Sequence, residues 1–181
     1  MKRKLILLCL VAALLSVASV GTYAYYTQAA TATNVVTTGG VDIELHETTA
    51  EGRPYPSEPV TIMPGDVVGK VVTVENTGEH PAYLRIKLTP GVNDRMLTAA
   101  DCIRLDINEE NWTQSGGYYY YNAVLMPGST TEPLFTQVTF IGEKVTNAYL
   151  GKMFSLDVAV FAVQSEHNGA TPLEAQGWPE N

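Results

Sequence analysis

The residue types that could do chemistry are few and scattered. His46-Glu47-Thr48-Thr49-Ala50 begins the pattern of a zinc peptidase helix, in which two histidines four apart share one face and a glutamate acts as base. Ala50 stands where the second histidine must be, and β-branched residues fill the interval, so no zinc site is expected there. His80 sits beside Pro81, and His167 precedes Asn168-Gly169; both read as loop residues. Cys102 needs a base and an activating environment to be a nucleophile, and it adjoins an alternating strand pattern instead. It reads as a structural thiol. Asp106, Glu109 and Glu110 carry oxygen ligands without the spacing of a calcium loop. Tyr118 to Tyr121 could stack on sugar rings, but they fit one strand of a hairpin, two per face, pairing near Trp112. No catalytic residue, metal or cofactor is expected.

The elements that would position such residues read as β-structure. The 181 residues suit a single domain with an ordinary core, 45% apolar and 17% charged. Val41-Asp42-Ile43-Glu44-Leu45-His46 alternates strictly, as a half-buried strand does. Further strands are expected over Val68 to Glu75, with Val68, Val72 and Val74 on one face, and over Ala82 to Thr89, with Leu84, Ile86 and Leu88 inward. Others are expected at Ile103 to Ile107, Tyr118 to Val124, Leu134 to Ile141 and Phe154 to Gln164. Pro64-Gly65, Asn76-Thr77-Gly78, Pro90-Gly91, Gly116-Gly117 and Pro127-Gly128 punctuate them as turns. Seven or eight short strands at this spacing predict an antiparallel β-sandwich over residues 41–181. One helical turn is expected near Thr98 to Asp101 and another near Thr171 to Gln176. Ile62-Met63-Pro64-Gly65 echoes Leu125-Met126-Pro127-Gly128. The echo is read either as two similar turns or as two equivalent corners.

The N-terminus has the layout of a secretory signal. Lys2, Arg3 and Lys4 precede an apolar run from Leu5 to Val20, and no charge follows until Asp42. This run of sixteen residues, interrupted by Ser16 and Ser19, falls short of the roughly 20 that span a bilayer. A helical leader over 1–24 is expected, cleaved between Ala24 and Tyr25 by a signal peptidase, with the membrane met only through the uncleaved leader. Without the three basic residues of the leader the net charge passes from −8 to −11, which disfavours nucleic acid as a partner. Cys102 would be left as an unpaired thiol. Residues 25–40 are uncharged, Thr- and Val-rich and free of proline. They form a candidate donor arm for strand addition to another copy, with Tyr26, Val35, Val36, Val41 and Ile43 as its candidate assembly residues.

Several short motifs in this order resemble the TasA/camelysin family of exported Gram-positive proteins. They are Gly21-Thr22-Tyr23-Ala24-Tyr25-Tyr26-Thr27, Gly39-Gly40-Val41-Asp42-Ile43, Met63-Pro64-Gly65-Asp66, Val74-Glu75-Asn76-Thr77-Gly78 and Pro81-Ala82-Tyr83-Leu84-Arg85. Gly117 to Tyr121, Leu125 to Gly128, Pro133-Leu134-Phe135 and Val163-Gln164 continue the likeness. The resemblance implies a jelly-roll sandwich, a leader processed by a SipW-type signal peptidase, and a secreted structural subunit of biofilm matrix fibres, a homo-oligomer or filament. Some relatives are described as metalloendopeptidases, so a camelysin-like secreted peptidase is the alternative, and a monomeric surface adhesin a third. The chain departs from TasA in being shorter and without its Lys-rich loops.

Overall fold

The structure, a computed structural model, describes residues 28–30, 33–37, 40–57 and 60–179. The expected leader, its expected cleavage position at Ala24 and Tyr25, and Tyr26 lie outside the described residues. Twelve strands follow in chain order: β1 (Gln28–Ala30), β2 (Thr33–Thr37), β3 (Ile43–Thr48), β4 (Val60–Thr61), β5 (Val67–Gly69), β6 (Val71–Asn76), β7 (Ala82–Val92), β8 (Ile103–Leu105), β9 (Trp112–Ser115), β10 (Tyr118–Tyr121), β11 (Gln137–Phe140) and β12 (Met153–Gln164). The protein is all-β. The one helix among the described residues is a 3-10 turn at Asn147–Tyr149, where the sequence showed no helix signal. The two expected helical turns, near Thr98 and Thr171, are simple turns closed by Cys102 N–H to Ala99 O and Glu174 N–H to Thr171 O.

One layer is a seven-stranded sheet in the order β4-β1-β12-β7-β10-β9, with β2 also on β12. The other layer consists of β5-β11-β8 and β3-β6. Residues 129–136 join these two small sheets. Val72 N–H donates to Phe135 O, Leu134 N–H to Val72 O and Thr131 N–H to Val74 O, after which the same chain runs on as β11. The core lies between the layers. Leu84, Ile86, Val158 and Val160 from the large sheet meet Val72, Val74, Val138 and Phe140 from the small ones. The period-two alternation read from the sequence supplies these inward positions.

Several expected boundaries move: β8 ends at Leu105, β10 ends at Tyr121, not Val124, and β11 runs from Gln137 to Phe140, not from Leu134 to Ile141. Pro90-Gly91, read as a turn, lies inside β7, where Pro90 pairs with Leu156 and Gly91 with Ser155 of β12. Proline is tolerated there because β10 covers β7 only near Arg85 and Ile86, so this stretch has no second neighbour to need its N–H. The expected strand over Val68 to Glu75 is two strands. It changes sheets at Lys70, whose N–H donates to Thr136 O.

The echoed tetrapeptides form equivalent corners. In each, Pro takes the second turn position and Gly the third with positive φ, +93° at Gly65 and +72° at Gly128, as a type II turn requires. Met63 O accepts from Asp66 N–H and Met126 O from Ser129 N–H, both at 3.0 Å. Gly65 N–H donates to Phe140 O, and Phe140 N–H donates to Asp66 O. Likewise Gly128 N–H donates to Asn76 O, and Asn76 N–H donates to Ser129 O. Two residues thus oppose one, a glycine bulge at each corner. Ile62 and Leu125 are buried, while Met63 and Met126 stand out at 56% and 52% exposure.

Candidate functional site

The arm is where the described structure departs from an antiparallel sandwich. β12 is the longest strand, twelve residues, and Phe154 to Gln164 of it pair antiparallel with β7. Its other edge takes β1 and β2 in parallel. Gln28 to Ala30 align with Met153 to Ser155, and Thr33 to Thr37 with Val158 to Ala162. Both arm segments are short, and parallel pairing is slightly weaker per residue than antiparallel. Val36 faces Phe161 in register, and Val35 faces Val160 while remaining 41% exposed. Gly40, with φ +71°, lies between β2 and β3 and lets the chain turn from one layer to the other. Beyond it, Val41 and Ile43 are 1% and 9% exposed and belong to the core. These two candidate assembly residues therefore anchor the body end of the arm.

A second edge is open at the far side of the large sheet. Residues 88–92 of β7 run past the end of β10, and among the described residues β8 pairs only with β11. Between them lies a groove of about 420 Å³ lined by Leu88, Pro90, Ile103, Leu105, Ile107 and Tyr119.

The remaining turn motif holds the body together. Asn76 is fully buried at the end of β6. Its Nδ2 donates to His80 O at 2.8 Å and to Leu125 O at 2.9 Å, and its Oδ1 accepts from Gly78 N–H at 3.0 Å. Every side-chain polar atom is satisfied, as a buried amide requires. Gly78 has a different reason from the corner glycines: a Cβ there would lie 2.8 Å from Asp42 N.

His46 lies on β3 with Nε2 2.9 Å from Glu75 Oε2, and Ala50 follows in a turn. Among the described residues no group of three or more His, Cys, Asp or Glu side chains is placed to hold a metal ion. Cys102 is buried at 1% exposure, its Sγ 3.4 Å from Thr98 O, which also accepts from Tyr149 Oη. Asp106 caps the start of β11, accepting from Thr136 N–H, Thr136 Oγ1 and Gln137 N–H. Partial burial would raise its carboxyl, but these hydrogen bonds prevail and leave it below the usual carboxylate range.

Lys70 belongs to no chemical motif in the sequence, yet it is buried. Its ammonium is 2.7 Å from Glu47 Oε1 and 4.4 Å from the centre of the Tyr55 ring. Burial pulls this ammonium below its ordinary value, and Glu47 opposes the shift. Burial and the same glutamate push the Tyr55 hydroxyl up. The signal was present, since position 70 shares the parity of Val68, Val72 and Val74.

Among the described residues, no helix is long and apolar enough to cross a membrane. No family model, curated protein or solved structure matches the chain.

Proposed function

We propose that the protein is a secreted structural subunit of extracellular matrix fibres of the TasA type, and that copies join by exchanging the arm. The observation that carries this reading is the parallel seating of β1 and β2 on the edge of β12. An arm that pairs with its own β12 meets the same partner groups on the β12 of a second copy. Exchange of an identical element between copies costs little for that reason. Gly40 supplies a hinge, and the uncharged composition of 25–40 suits a strand that leaves water. Head-to-tail exchange does not close on itself and so extends into a filament.

The energetics favour a prepared acceptor. Ordering a backbone residue costs about 1–2 kcal/mol. A buried apolar side chain contributes about 1.5–3 kcal/mol. An isolated strand gains nothing from such near-cancellation, but β12 is already ordered by β7 along its length, so only the arm needs to be fixed. Among the described residues β8 pairs on one side, so the groove beside it supports the reading as a second edge.

Electron microscopy of the purified chain lacking its leader tests the proposal. Fibres are expected, and their loss on deletion of residues 25–40, with the remaining body still folded, supports arm exchange. A chain that stays monomeric at high concentration, or fibres unaffected by the deletion, would overturn it.

A further inference from the structure

The four tyrosines flagged in the sequence divide as a strand requires. Tyr119 and Tyr121 pack on the core, while Tyr118 and Tyr120 turn to the outer face of the large sheet. There they join Arg85 and Lys87 of β7, Phe161 of β12 and Trp178 of the C-terminal segment. The Arg85 guanidinium carbon lies 4.0 Å from the Tyr118 ring centre, 4.7 Å from Trp178 and 5.3 Å from Phe161. Lys87 Nζ is 6.0 Å from the Tyr118 ring, and Tyr120 meets Trp178 edge to face at 5.8 Å. Tyr83 Oη donates to Gly169 O and Arg85 Nη2 to Pro179 O, which holds the C-terminal segment against this face.

This arrangement exceeds what covering a small second core would need. Tyr118, Tyr120, Lys87 and Trp178 all stay half-exposed. Arg85 Nε is buried and, among the described residues, has no hydrogen-bond partner. The chain carries a net charge of −8, yet the outward positions of β7, β9, β10 and β12 hold two cations against one acid, Asp157. The backbone ladder is satisfied here, because β7 is flanked by β12 and β10. A ligand on this face meets rings and cations, not a free strand edge.

We propose that this face is a platform for an acidic polysaccharide, a linear chain of uronate-type sugars. The C–H face of a sugar ring is apolar with its hydrogens slightly positive, which suits the negative face of a tyrosine or tryptophan ring. The carboxylates meet Lys87 and the guanidinium of Arg85, which the rings on either side hold in place. A flat sheet face accepts an extended polymer without enclosing it, and an acidic polypeptide lacks the stacking surface. The proposal does not rest on arm exchange, since the platform lies wholly within one body.

Fluorescence titration of the unassembled chain tests it, because Trp178 borders the platform while Trp112 is buried in the core. Polygalacturonate at low ionic strength is expected to give a saturable change, neutral dextran none, and poly-glutamate binding about tenfold weaker or less. Lys87→Gln, at a half-exposed position, is expected to lower polygalacturonate affinity about tenfold with an unchanged melting temperature, and Tyr118→Leu to do the same. Binding of poly-glutamate as tight as that of polygalacturonate would overturn the proposal as charge attraction alone. So would the absence of polygalacturonate binding, or full affinity in a folded Lys87→Gln variant.

Discussion

The Lys70 ammonium and the Glu47 carboxylate meet at 2.7 Å where the chain crosses from one small sheet to the other. Lys70 is 1% exposed and sits between β5 and β6 on the parity of Val68, Val72 and Val74, so the sandwich has buried a charge. Glu47 on β3 and the Tyr55 ring are the groups that make this tolerable.

Removing one partner is therefore expected to cost more than removing both. Glu47→Leu leaves a buried ammonium and should lower unfolding stability by about 3–5 kcal/mol. The Lys70→Met, Glu47→Leu double variant should recover most of that loss or exceed the parent. Urea unfolding of the four proteins of this cycle measures the coupling. A double variant as unstable as Glu47→Leu would contradict the pairing.

The ordering of inward residues was legible in the sequence because alternation depends only on strand parity. It placed Leu84, Ile86, Val72 and Val74 correctly. Sheet membership was not legible, because a run such as Val68 to Glu75 looks the same whether it keeps its neighbours or exchanges them at Lys70. Pro90-Gly91 misled for a related reason: a proline is a turn signal unless its strand lacks a neighbour, and that is a tertiary fact. At the candidate site, composition marked the uncharged arm, but the direction of its pairing with β12 is set by where the body ends and leaves no local trace.

Asp106 should make stability depend on pH. Its three hydrogen bonds hold the folded carboxyl below the ordinary 3.8, so the contribution is fully present above that value and is lost as pH falls through the lower folded value. Asp106→Asn should cost about 1 kcal/mol at neutral pH, the exposure of the group keeping the figure small. The difference in urea midpoint between the two proteins should shrink toward zero in acid. A gap that stays constant with pH would show that the carboxylate charge plays no part.

The two corners should respond alike to substitution. Gly65→Ala and Gly128→Ala meet no atom within 4 Å, so the positive φ alone sets the cost, about 1–2 kcal/mol each. Gly78→Ala should be worse, because its Cβ would press on Asp42 N and disturb the Asn76 hydrogen bonds. Thermal melts in a single buffer rank the three. If Gly78→Ala melts above either corner variant, close approach is not what position 78 requires.

Arm exchange makes the pairing of β2 with β12 decisive for assembly and dispensable for the body. Val36 sits in the middle of the paired segment, opposite Phe161. Val36→Pro removes one backbone donor and fixes φ at that residue, which disfavours the pairing within a copy and between copies equally. The core between the layers draws on β3, β6, β7, β11 and β12. The variant should therefore melt close to the parent monomer, while the concentration needed for fibre growth rises about tenfold or more, since each added subunit loses at least one strand contact. Sedimentation across a concentration series gives that threshold. Fibres forming at the parent concentration, on a body that melts normally, would mean that copies meet through another surface.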